Sequence, residues 1–258
     1  MENIILIETS TALCSVALAQ DGAITSYRES SAPKAHASLT AVFVQEVLQE
    51  KGLTIADCDA VCVSMGPGSY TGLRVGVSTA KGLCFGARKP LLAVGTLDTL
   101  VAQALSVIPN EVEGSSYRFI IPMIDARRME VYASVFVSSA IQSTSSVIPS
   151  SSSVVPSEVE ESPSYTQITE TAPAIIDSES FAEYLEQGPC LFIGDGAGKC
   201  ADVIKHPNAH FCQCHPKASA MLKPAMAALH NGEFKDVAYF EPFYLKEFVA
   251  TVSKKKLF

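Results

Sequence analysis

The chain lacks the marks of several common protein classes. No apolar run is long enough to cross a membrane, and the first residues, MENIILIETS, show neither a basic segment nor a small-residue cleavage site. Basic residues are few: 19 Lys and Arg stand against 27 Asp and Glu, a net charge of −8. Because nucleic-acid affinity comes from clustered Lys and Arg, this chain alone is not expected to bind a phosphate backbone. The absences predict a cytoplasmic protein without a membrane partner.

Nucleotide and nucleophile motifs are missing as well. The segment 66–82, GPGSYTGLRVGVSTAKG, lacks the Gly-Lys-Ser/Thr that a phosphate loop needs after four residues, and its third glycine, Gly72, comes one residue late for a dinucleotide fingerprint. No G-x-S-x-G nucleophile elbow occurs. What remains is a strand, a glycine-rich turn and a helix capped by Ser69 or Thr71, where an anion can bind. A structural turn with a packing helix is the alternative.

Two helices carry more small and apolar residues than one core face needs. In helix 71–86 a stripe of small residues runs through Gly72 and Gly76, although each interior glycine costs about 1 kcal/mol relative to alanine. In helix 38–51 three consecutive apolar residues spread over roughly 200° of the circumference. Burial inside a large domain would explain both patterns, but together they favour an interface with another subunit. The predicted interface residues are Phe43, Val44, Val47, Gly72, Leu73, Gly76, Thr79 and Ala80.

Eight cysteines and five histidines raise the question of a metal site. The cysteines are scattered through apolar segments, which predicts buried free thiols in a reducing compartment. The one dense cluster comprises His206, His210, Cys212, Cys214 and His215. Its spacing matches no zinc motif, and His36, predicted to be a capping or surface residue, cannot hold a catalytic ion alone. We therefore predict no metal site.

The order of predicted elements indicates two α/β units. Three strands within residues 4–30, with Asp21-Gly22 as a hairpin turn, precede alternating helices and strands. A dinucleotide-binding domain would begin β-α-β instead, so this order favours a ribonuclease-H-like layer. The later predicted elements of this first unit are helix 38–51, strand 59–65, helix 71–86, strand 91–95 and helix 96–106.

A second unit opens in the same way, with two strands around Arg127-Arg128. We predict an N-terminal domain, 1–106, carrying the interface helices, and a second α/β domain, 107–258. A serine-rich insert, 138–164, has no period and is predicted to be a flexible loop or hairpin insertion. The remaining predictions are helix 178–187, strand 190–194, turn 195–199, a strand around 210–214, and helix 218–231, which packs back on the first domain.

Four segments together resemble one known family. They are IETSTALCSVAL (7–18), GPGSYTGLRVGVSTAKGL (66–83), IDARRMEVYASVF (124–136) and FIGDGA (192–197). In order and spacing they are similar to the bacterial TsaB family, also called YeaZ. The resemblance implies two ribonuclease-H-like domains of the actin, sugar kinase and heat-shock ATPase superfamily. It also implies a noncatalytic platform that binds a catalytic TsaD-type subunit, joined by a TsaE-type ATPase, to make threonylcarbamoyladenosine next to the anticodon of tRNA.

The resemblance carries expectations for partners and cofactors. TsaD-type binding is expected through helices 38–51 and 71–86, with tRNA reached only through the complex and a homodimer formed when the chain is alone. We predict no cofactor on the isolated chain, and ATP or ADP only in the complex. The alternative is an independent ATP-dependent phosphotransferase of the same superfamily.

The first turn departs from the superfamily pattern. Glu8 stands where an aspartate is usual, and the hydroxyls of Thr9, Ser10 and Thr11 are either a vestigial nucleotide site or serve the turn itself. The polar group Asp125, Arg127, Arg128, Glu130 and Tyr132 belongs to the matching segments but receives no role.

Overall fold

The first sheet has five strands. The computed structural model describes residues 2–111, 117–139 and 164–245. The strands are β1 (Asn3–Glu8), β2 (Cys14–Gln20), β3 (Ala23–Ser30), β4 (Ala60–Ser64) and β5 (Leu91–Val94). Their order is β3-β2-β1-β4-β5, in which β1, β2 and β3 are antiparallel and β4 and β5 run parallel to β1. The predicted hairpin is confirmed, because Asp21 and Gly22 both take the positive φ, 47° and 77°, of a tight two-residue turn.

Three helices follow the strands of this sheet. They are α1 (Ala35–Gln49), α2 (Tyr70–Ala87) and α3 (Thr96–Glu111). Helices α1 and α2 cover one face, where their apolar residues form a core with Ile5, Ile7 and Val63. Helix α3 packs against the second sheet, since Leu97, Leu100 and other residues of α3 join a core cluster from that sheet.

The second sheet repeats the plan of the first. Its strands are β6 (Phe119–Asp125), β7 (Glu130–Ala133), β8 (Phe136–Ser138), β9 (Tyr165–Gln167), β10 (Ala172–Ile175), β11 (Cys190–Gly194) and β12 (Ala209–Gln213). The main order is β10-β7-β6-β11-β12, with β8 pairing β6 and β9. Here too the first three strands of the path are antiparallel and the last two run parallel to the central one. The chain is thus an α/β fold with two mixed sheets.

The C-terminal part returns to the first sheet. Two short helices, α4 (Ala182–Leu185) and α5 (Ala197–Ala201), precede a 3-10 turn at Ala218–Met221 and helix α6 (Leu222–His230). Met221 and Ala225 pack with Ile4 and Leu6 on the face of the first sheet opposite α1 and α2. The division into domains 1–106 and 107–258 stays a prediction.

Three predicted elements needed correction. Helix 178–187 is wrong, because the side chain of Asp177 holds a turn through Glu179 N and Phe181 takes a left-handed φ of 62°, so only α4 forms. The turn 195–199 already contains the start of α5, whose Ala197 and Cys200 are buried in the core. Helix 218–231 is a 3-10 turn followed by the shorter α6.

The serine-rich insert begins and ends in a closed ladder. Strands β8 and β9 pair at Ser138 and Tyr165, and Ser139 N donates to Ser164 O at 2.8 Å. Residues 140–163, which hold the rest of the predicted insert, lie outside the described residues. None of the helices in residues 2–111, 117–139 and 164–245 is long and apolar enough to span a membrane.

Candidate functional site

A cleft of about 670 Å³ lies between the two sheets. One wall comes from the turn after β1 and from the start of α2, and the other comes from the β6–β7 turn and from Asp195 after β11. The lining is mixed, with hydroxyl groups, aromatic rings and charged side chains. The lining residues include Ser10, Thr11, His36, Ser69, Arg127 and Asp195.

The turn after β1 places a carboxyl group beneath the cleft. Glu8 is fully buried, and its Oε1 accepts a hydrogen bond of 2.6 Å from Ser10 N. Burial raises the pKa of Glu8 to about 7, and hydrogen bonds from Ser10 oppose the rise. Glu8 is therefore a carboxyl group of the interior, and it does not face the cleft.

The same turn is pressed against the start of α2. Ser69 caps the helix, as predicted: its hydroxyl accepts from Gly72 N at 3.3 Å. Its own amide donates to Ser10 O at 2.6 Å. A Cβ on Gly72 would collide with Thr9 O, so only glycine lets the helix approach the turn this closely. Gly66 holds a φ of 106°, which a side chain rarely adopts.

The small-residue stripe has an internal explanation. Gly76 faces Thr9 and Val63 of the same chain, and a Cβ added there would collide with Thr9 Oγ1. Gly72 and Ala80 are buried on the same side of the helix. Our interpretation of this stripe as a surface for another subunit is therefore corrected, because the neighbours that require small residues are the chain's own turn after β1 and strand β4.

The other predicted interface positions are also in the core. Phe43 and Val44 are 8% and 3% exposed, Leu73 is 1% exposed, and Val47 is fully buried. The consecutive apolar residues of α1 divide at Val42, which is 41% exposed while its two successors point inward. Of the eight predicted residues only Thr79 lies partly at the surface. The sequence placed the interface on the inner side of both helices because it could not locate the sheet.

The outer sides of α1 and α2 form a second surface. On α1 the exposed residues include Ser38, Ala41, Val42, Gln45 and Gln49; on α2 the exposed or half-exposed residues include Val75, Ser78, Thr79, Gly82, Phe85 and Gly86. These two stripes, called the outer face below, follow helical spacing. The stripes themselves contain no charged residue, but on the same side of α2 Arg74 is exposed and Lys81 is half-exposed. Phe85 is 82% exposed, and a Cβ on Gly82 or Gly86 would meet nothing within 4 Å. Exposed glycines inside a helix and an exposed phenylalanine are unusual for a surface that faces only water.

The β6–β7 turn presents two arginines on a rigid base. Arg127 and Arg128 both have left-handed backbones, with φ of 70° and 52°. Lys199 secures the turn: its Nζ pairs with Asp125 and donates to the carbonyls of Arg128 and Glu130 at 2.8 and 2.7 Å. Asp125 Oδ1 also accepts from Arg127 N at 2.8 Å. The turn is therefore held by its own hydrogen bonds, and Arg127 lines the cleft.

The Cys and His cluster predicted to lack a metal does not come together. His210 packs edge-on against Tyr117, and His206 Nδ1 accepts from Asn208 N at 3.1 Å. Within the described ranges no three His, Cys, Asp or Glu side chains are grouped as a metal site. His215 Nδ1 lies 3.8 Å from Asp195, and burial raises the pKa of that carboxyl group. His36 contacts Thr11 O through Nε2 at 2.8 Å.

A segment that sequence reasoning missed runs along α2 to the cleft. In this strap, residues 236–245, Phe243 N donates to Met65 O at 2.7 Å, and the ring of Tyr244 lies 4.9 Å from that of Tyr70. Lys81 Nζ donates to Ala238 O and Phe240 O at 2.9 and 3.1 Å. The strap has no regular hydrophobic period, so no sequence signal identified it.

Comparison with known proteins gives the family. A family model described as TsaD, tRNA N6-adenosine threonylcarbamoyltransferase, matches residues 28–254. The tRNA threonylcarbamoyladenosine biosynthesis protein TsaB of Escherichia coli (strain K12) is 29% identical over 252 residues, which is 96% of each chain. A tRNA N6-adenosine threonylcarbamoyltransferase of Sphingopyxis alaskensis is 43% identical over 67 residues, 26% of this chain and 20% of that protein.

A solved structure shows the same fold. YeaZ from Pseudomonas aeruginosa is 24% identical to this chain and superposes with a TM-score of 0.74, over 95% of this chain and all 100% of that one. The resemblance noted from the four sequence segments is therefore confirmed. The chain belongs to the TsaD family of tRNA N6-adenosine threonylcarbamoyltransferase proteins and, within it, to the TsaB (YeaZ) branch.

Proposed function

We propose that this chain takes part in tRNA threonylcarbamoyladenosine biosynthesis as the noncatalytic platform that binds a TsaD-type catalytic subunit. Its similarity to a TsaB protein over 96% of both chains supports the pathway. The observation that carries the platform role is the outer face of α1 and α2, where Val42 is 41% exposed and Phe85 is 82% exposed. Large apolar side chains exposed on neighbouring helices are a feature of protein interfaces.

The outer face replaces the inner stripe as the proposed docking surface. Gly82 and Gly86 have open space above them, so another helix can approach the α2 backbone closely there. Phe85 lies between them and is the natural anchor, because aromatic residues carry a large share of interface energy. A TsaE-type ATPase would join this pair, and tRNA would be reached only through the complex.

The docking surface is tested by adding a large charged side chain. Ala41→Arg on α1 and Gly82→Arg on α2 should each abolish co-purification with the organism's own TsaD-type subunit. Ala227→Arg is the matched control, because Ala227 is an exposed small residue on α6, across the first sheet. Normal binding by both outer-face variants would show that TsaD docks elsewhere.

The noncatalytic role is tested at Glu8. Because Glu8 is buried beneath the cleft, Glu8→Gln should leave tRNA modification by the TsaD- and TsaE-type subunits unchanged. The competing hypothesis, an independent ATP-dependent phosphotransferase, requires ATP turnover by the isolated chain that Glu8→Ala abolishes. Full modification by TsaD and TsaE in the absence of this chain would refute the platform role.

Self-association follows from the same surface. Without its partner, we propose that two copies pair through the outer face in a two-fold dimer, the commonest closed assembly. Sedimentation should show a dimer that Gly82→Arg converts to a monomer and that Ala227→Arg leaves intact.

The proposal includes the finer features of the family. The repeated strand order of the two sheets supports two ribonuclease-H-like domains of the actin, sugar kinase and heat-shock ATPase superfamily. A cytoplasmic location fits a tRNA-modifying complex. ATP or ADP is proposed for the assembled complex, and dialysed isolated chain should contain neither nucleotide.

A further inference from the structure

We propose that Cys212 and Cys214 form a modification site, at which a peroxide oxidises the two thiols to an intramolecular disulfide. The site lies at the end of β12, an edge strand of the second sheet. This inference concerns the isolated chain and does not depend on the docking surface.

Exposure distinguishes these two cysteines from the others. All eight cysteines are free thiols, and six of them are buried, whereas Cys212 and Cys214 are both partly exposed. Among the described strands β12 pairs only with β11, so its other edge is not covered by a strand. An oxidant in solvent therefore reaches this pair more readily than the six buried thiols.

The two side chains also lie on the same side of the strand. Cys212 is in register with Ile193 of β11, and the pairing continues past β12 because Cys214 N donates to Gly194 O at 3.3 Å. Residues two apart on a strand face the same way, and both cysteines pack against the core cluster that includes Leu100 of α3. The Cys212 thiol is hydrogen-bonded to the Cys214 thiol, so the two sulfur atoms are neighbours.

A disulfide between these residues is within reach but strained. Two residues of extended strand separate their Cα atoms by about 6.6 Å, close to the upper limit of about 6.8 Å for a disulfide. The Cβ atoms must approach to about 4 Å, so the end of the strand has to bend. Cys214 has room to move because it lies just beyond the end of β12. Strained, exposed disulfides are easily reduced, which makes the modification reversible.

The reaction balances with hydrogen peroxide as the oxidant. Burial and the neighbouring Cys212 thiol raise the pKa of Cys214 to about 12, so Cys212 attacks first. Its sulfur bonds to one peroxide oxygen, the O–O bond breaks, and the released hydroxide takes the thiol proton to form water. The Cys214 sulfur then attacks the sulfenic sulfur, the S–O bond breaks, and hydroxide leaves with the second thiol proton as water. Two electrons pass from the thiols to the peroxide.

The disulfide disturbs a residue that connects the two sheets. The side chain of Gln103 hydrogen-bonds the Cys214 thiol, and the same side chain donates to His215 O and accepts from Lys217 N. When the Cys214 sulfur moves toward Cys212, its contact with Gln103 is lost and the main chain that follows is displaced. Oxidation is therefore expected to weaken the hydrogen bond from Lys217 N.

The experiment treats the purified, reduced chain with hydrogen peroxide and follows the tryptic peptide 206–217 by mass spectrometry. This peptide contains Cys212, Cys214 and no other cysteine. We expect it to lose two hydrogen atoms, to resist alkylation after denaturation, and to regain both thiols with dithiothreitol. The six buried cysteines are the internal control, because they should still be alkylated after the same treatment.

Single variants separate the disulfide from other oxidation products. Cys212→Ser and Cys214→Ser should each abolish the loss of two hydrogen atoms. In Cys212→Ser the remaining Cys214 should react with iodoacetamide at least about tenfold more slowly than Cys212 does in Cys214→Ser, because its raised pKa leaves little thiolate. Thermal unfolding of both reduced variants confirms that they are folded.

Hydrogen exchange measures the effect on Gln103. Oxidation should speed exchange at Lys217 N about fivefold, the effect of losing one ordinary hydrogen bond. In Gln103→Ala this amide should exchange at the faster rate both before and after oxidation. The amide of Phe243, which donates to Met65 O in the strap, is the control and should not change.

Three results would overturn the modification site. They are an unchanged peptide 206–217, addition of oxygen to it in place of the loss of hydrogen, and a disulfide that links two chains on a non-reducing gel. Unchanged exchange at Lys217 N in the oxidised chain would overturn the link to Gln103. Faster alkylation of Cys214 than of Cys212 would overturn the order of attack.

Discussion

At the scale of single residues, Glu8 is the group whose chemistry the fold changes most. Its side chain is completely buried at the end of β1, where Ser10 N donates to one carboxylate oxygen and the other has no partner in the described chain. Desolvation outweighs the hydrogen bonds and raises the pKa from 4.5 to about 7. Glu8 thus links the stability of the first turn to pH.

The first prediction follows from this linkage. A carboxyl group with a raised folded-state pKa binds its proton more tightly when folded, so its contribution is complete below the unfolded value of 4.5 and is lost as pH rises through about 7. At about 1.4 kcal/mol per unit, the rise from 4.5 to about 7 corresponds to a loss of roughly 3.5 kcal/mol. Glu8→Gln, which cannot ionise, should be more stable than wild type at pH 8, and the difference should vanish near pH 4.5.

Urea unfolding at several pH values measures this difference. Asp21→Asn, an exposed acid in the β2–β3 turn, is the control for a general effect of charge removal. Parallel stability curves for Glu8→Gln and wild type between pH 4.5 and pH 8 would contradict the assignment of a raised pKa.

At the scale of elements, helix α2 has two sides that use glycine for different reasons. Gly72 and Gly76 face the turn after β1, where a Cβ would collide with Thr9. Gly82 and Gly86 face open space on the outer side. Packing therefore requires glycine on the inner side of the helix. On the outer side, glycine in the isolated chain only lowers the helix propensity.

The second prediction compares alanine substitutions on the two sides. Gly82→Ala should raise the free energy of unfolding by about 0.5–1 kcal/mol, because alanine favours the helix and its Cβ meets nothing. Gly72→Ala should lower it by about 1–3 kcal/mol, because the turn or the helix must move. Chemical denaturation measures both, and a stabilising Gly72→Ala would show that the close approach is not what requires glycine.

The third prediction concerns the serine-rich insert. Since Ser139 N and Ser164 O are hydrogen-bonded, replacing residues 140–163 by Asn-Gly should close β8 and β9 as a hairpin. The free energy of unfolding should stay equal or rise, because a shorter loop loses less entropy on closure. Binding to the TsaD-type subunit should be unchanged, since the outer face lies on the first sheet. Lost binding by a folded variant would assign the insert to the interface.

At the scale of the whole molecule, α3 and the segment after β12 connect the two sheets. Gln103 on α3 donates to His215 O and accepts from Lys217 N, both at 3.1 Å. One residue later, Ala218 N donates to Ser15 Oγ of β2 at 2.9 Å. These bonds hold residues 215–218, the crossing segment, between the second sheet and helix α6, which covers the first sheet.

The fourth prediction tests this connection. Gln103→Ala removes both hydrogen bonds and leaves two partly buried main-chain groups without them, which should lower the free energy of unfolding by about 1–3 kcal/mol. Gln49→Ala, at an exposed position of α1, should change it by less than about 0.5 kcal/mol. Urea unfolding followed by far-UV circular dichroism compares the two, and equal effects would mean that the crossing segment is held by other contacts.

Local sequence patterns were enough to predict the parts of the fold that depend on short-range preferences. Alternating and continuous apolar runs predicted most strands of both sheets, Asp21-Gly22 predicted the hairpin, and Ser69 predicted the cap of α2, because each is a short-range preference of the backbone. The family was evident in the order and spacing of four segments. The antiparallel opening of each sheet was also anticipated from the order of the predicted elements along the chain.

The side of each helix that faces the sheet could not be predicted before the packing of distant segments was known. Periodicity showed surplus small and apolar residues on α1 and α2, but Gly76 and Gly82 look alike until Thr9 is placed beside one and open space beside the other. The same holds for Arg127 and Thr11, which are far apart in the chain and line one cleft only because the two sheets face each other. Contacts between distant segments depend on how the sheets pack, and no local propensity encodes that.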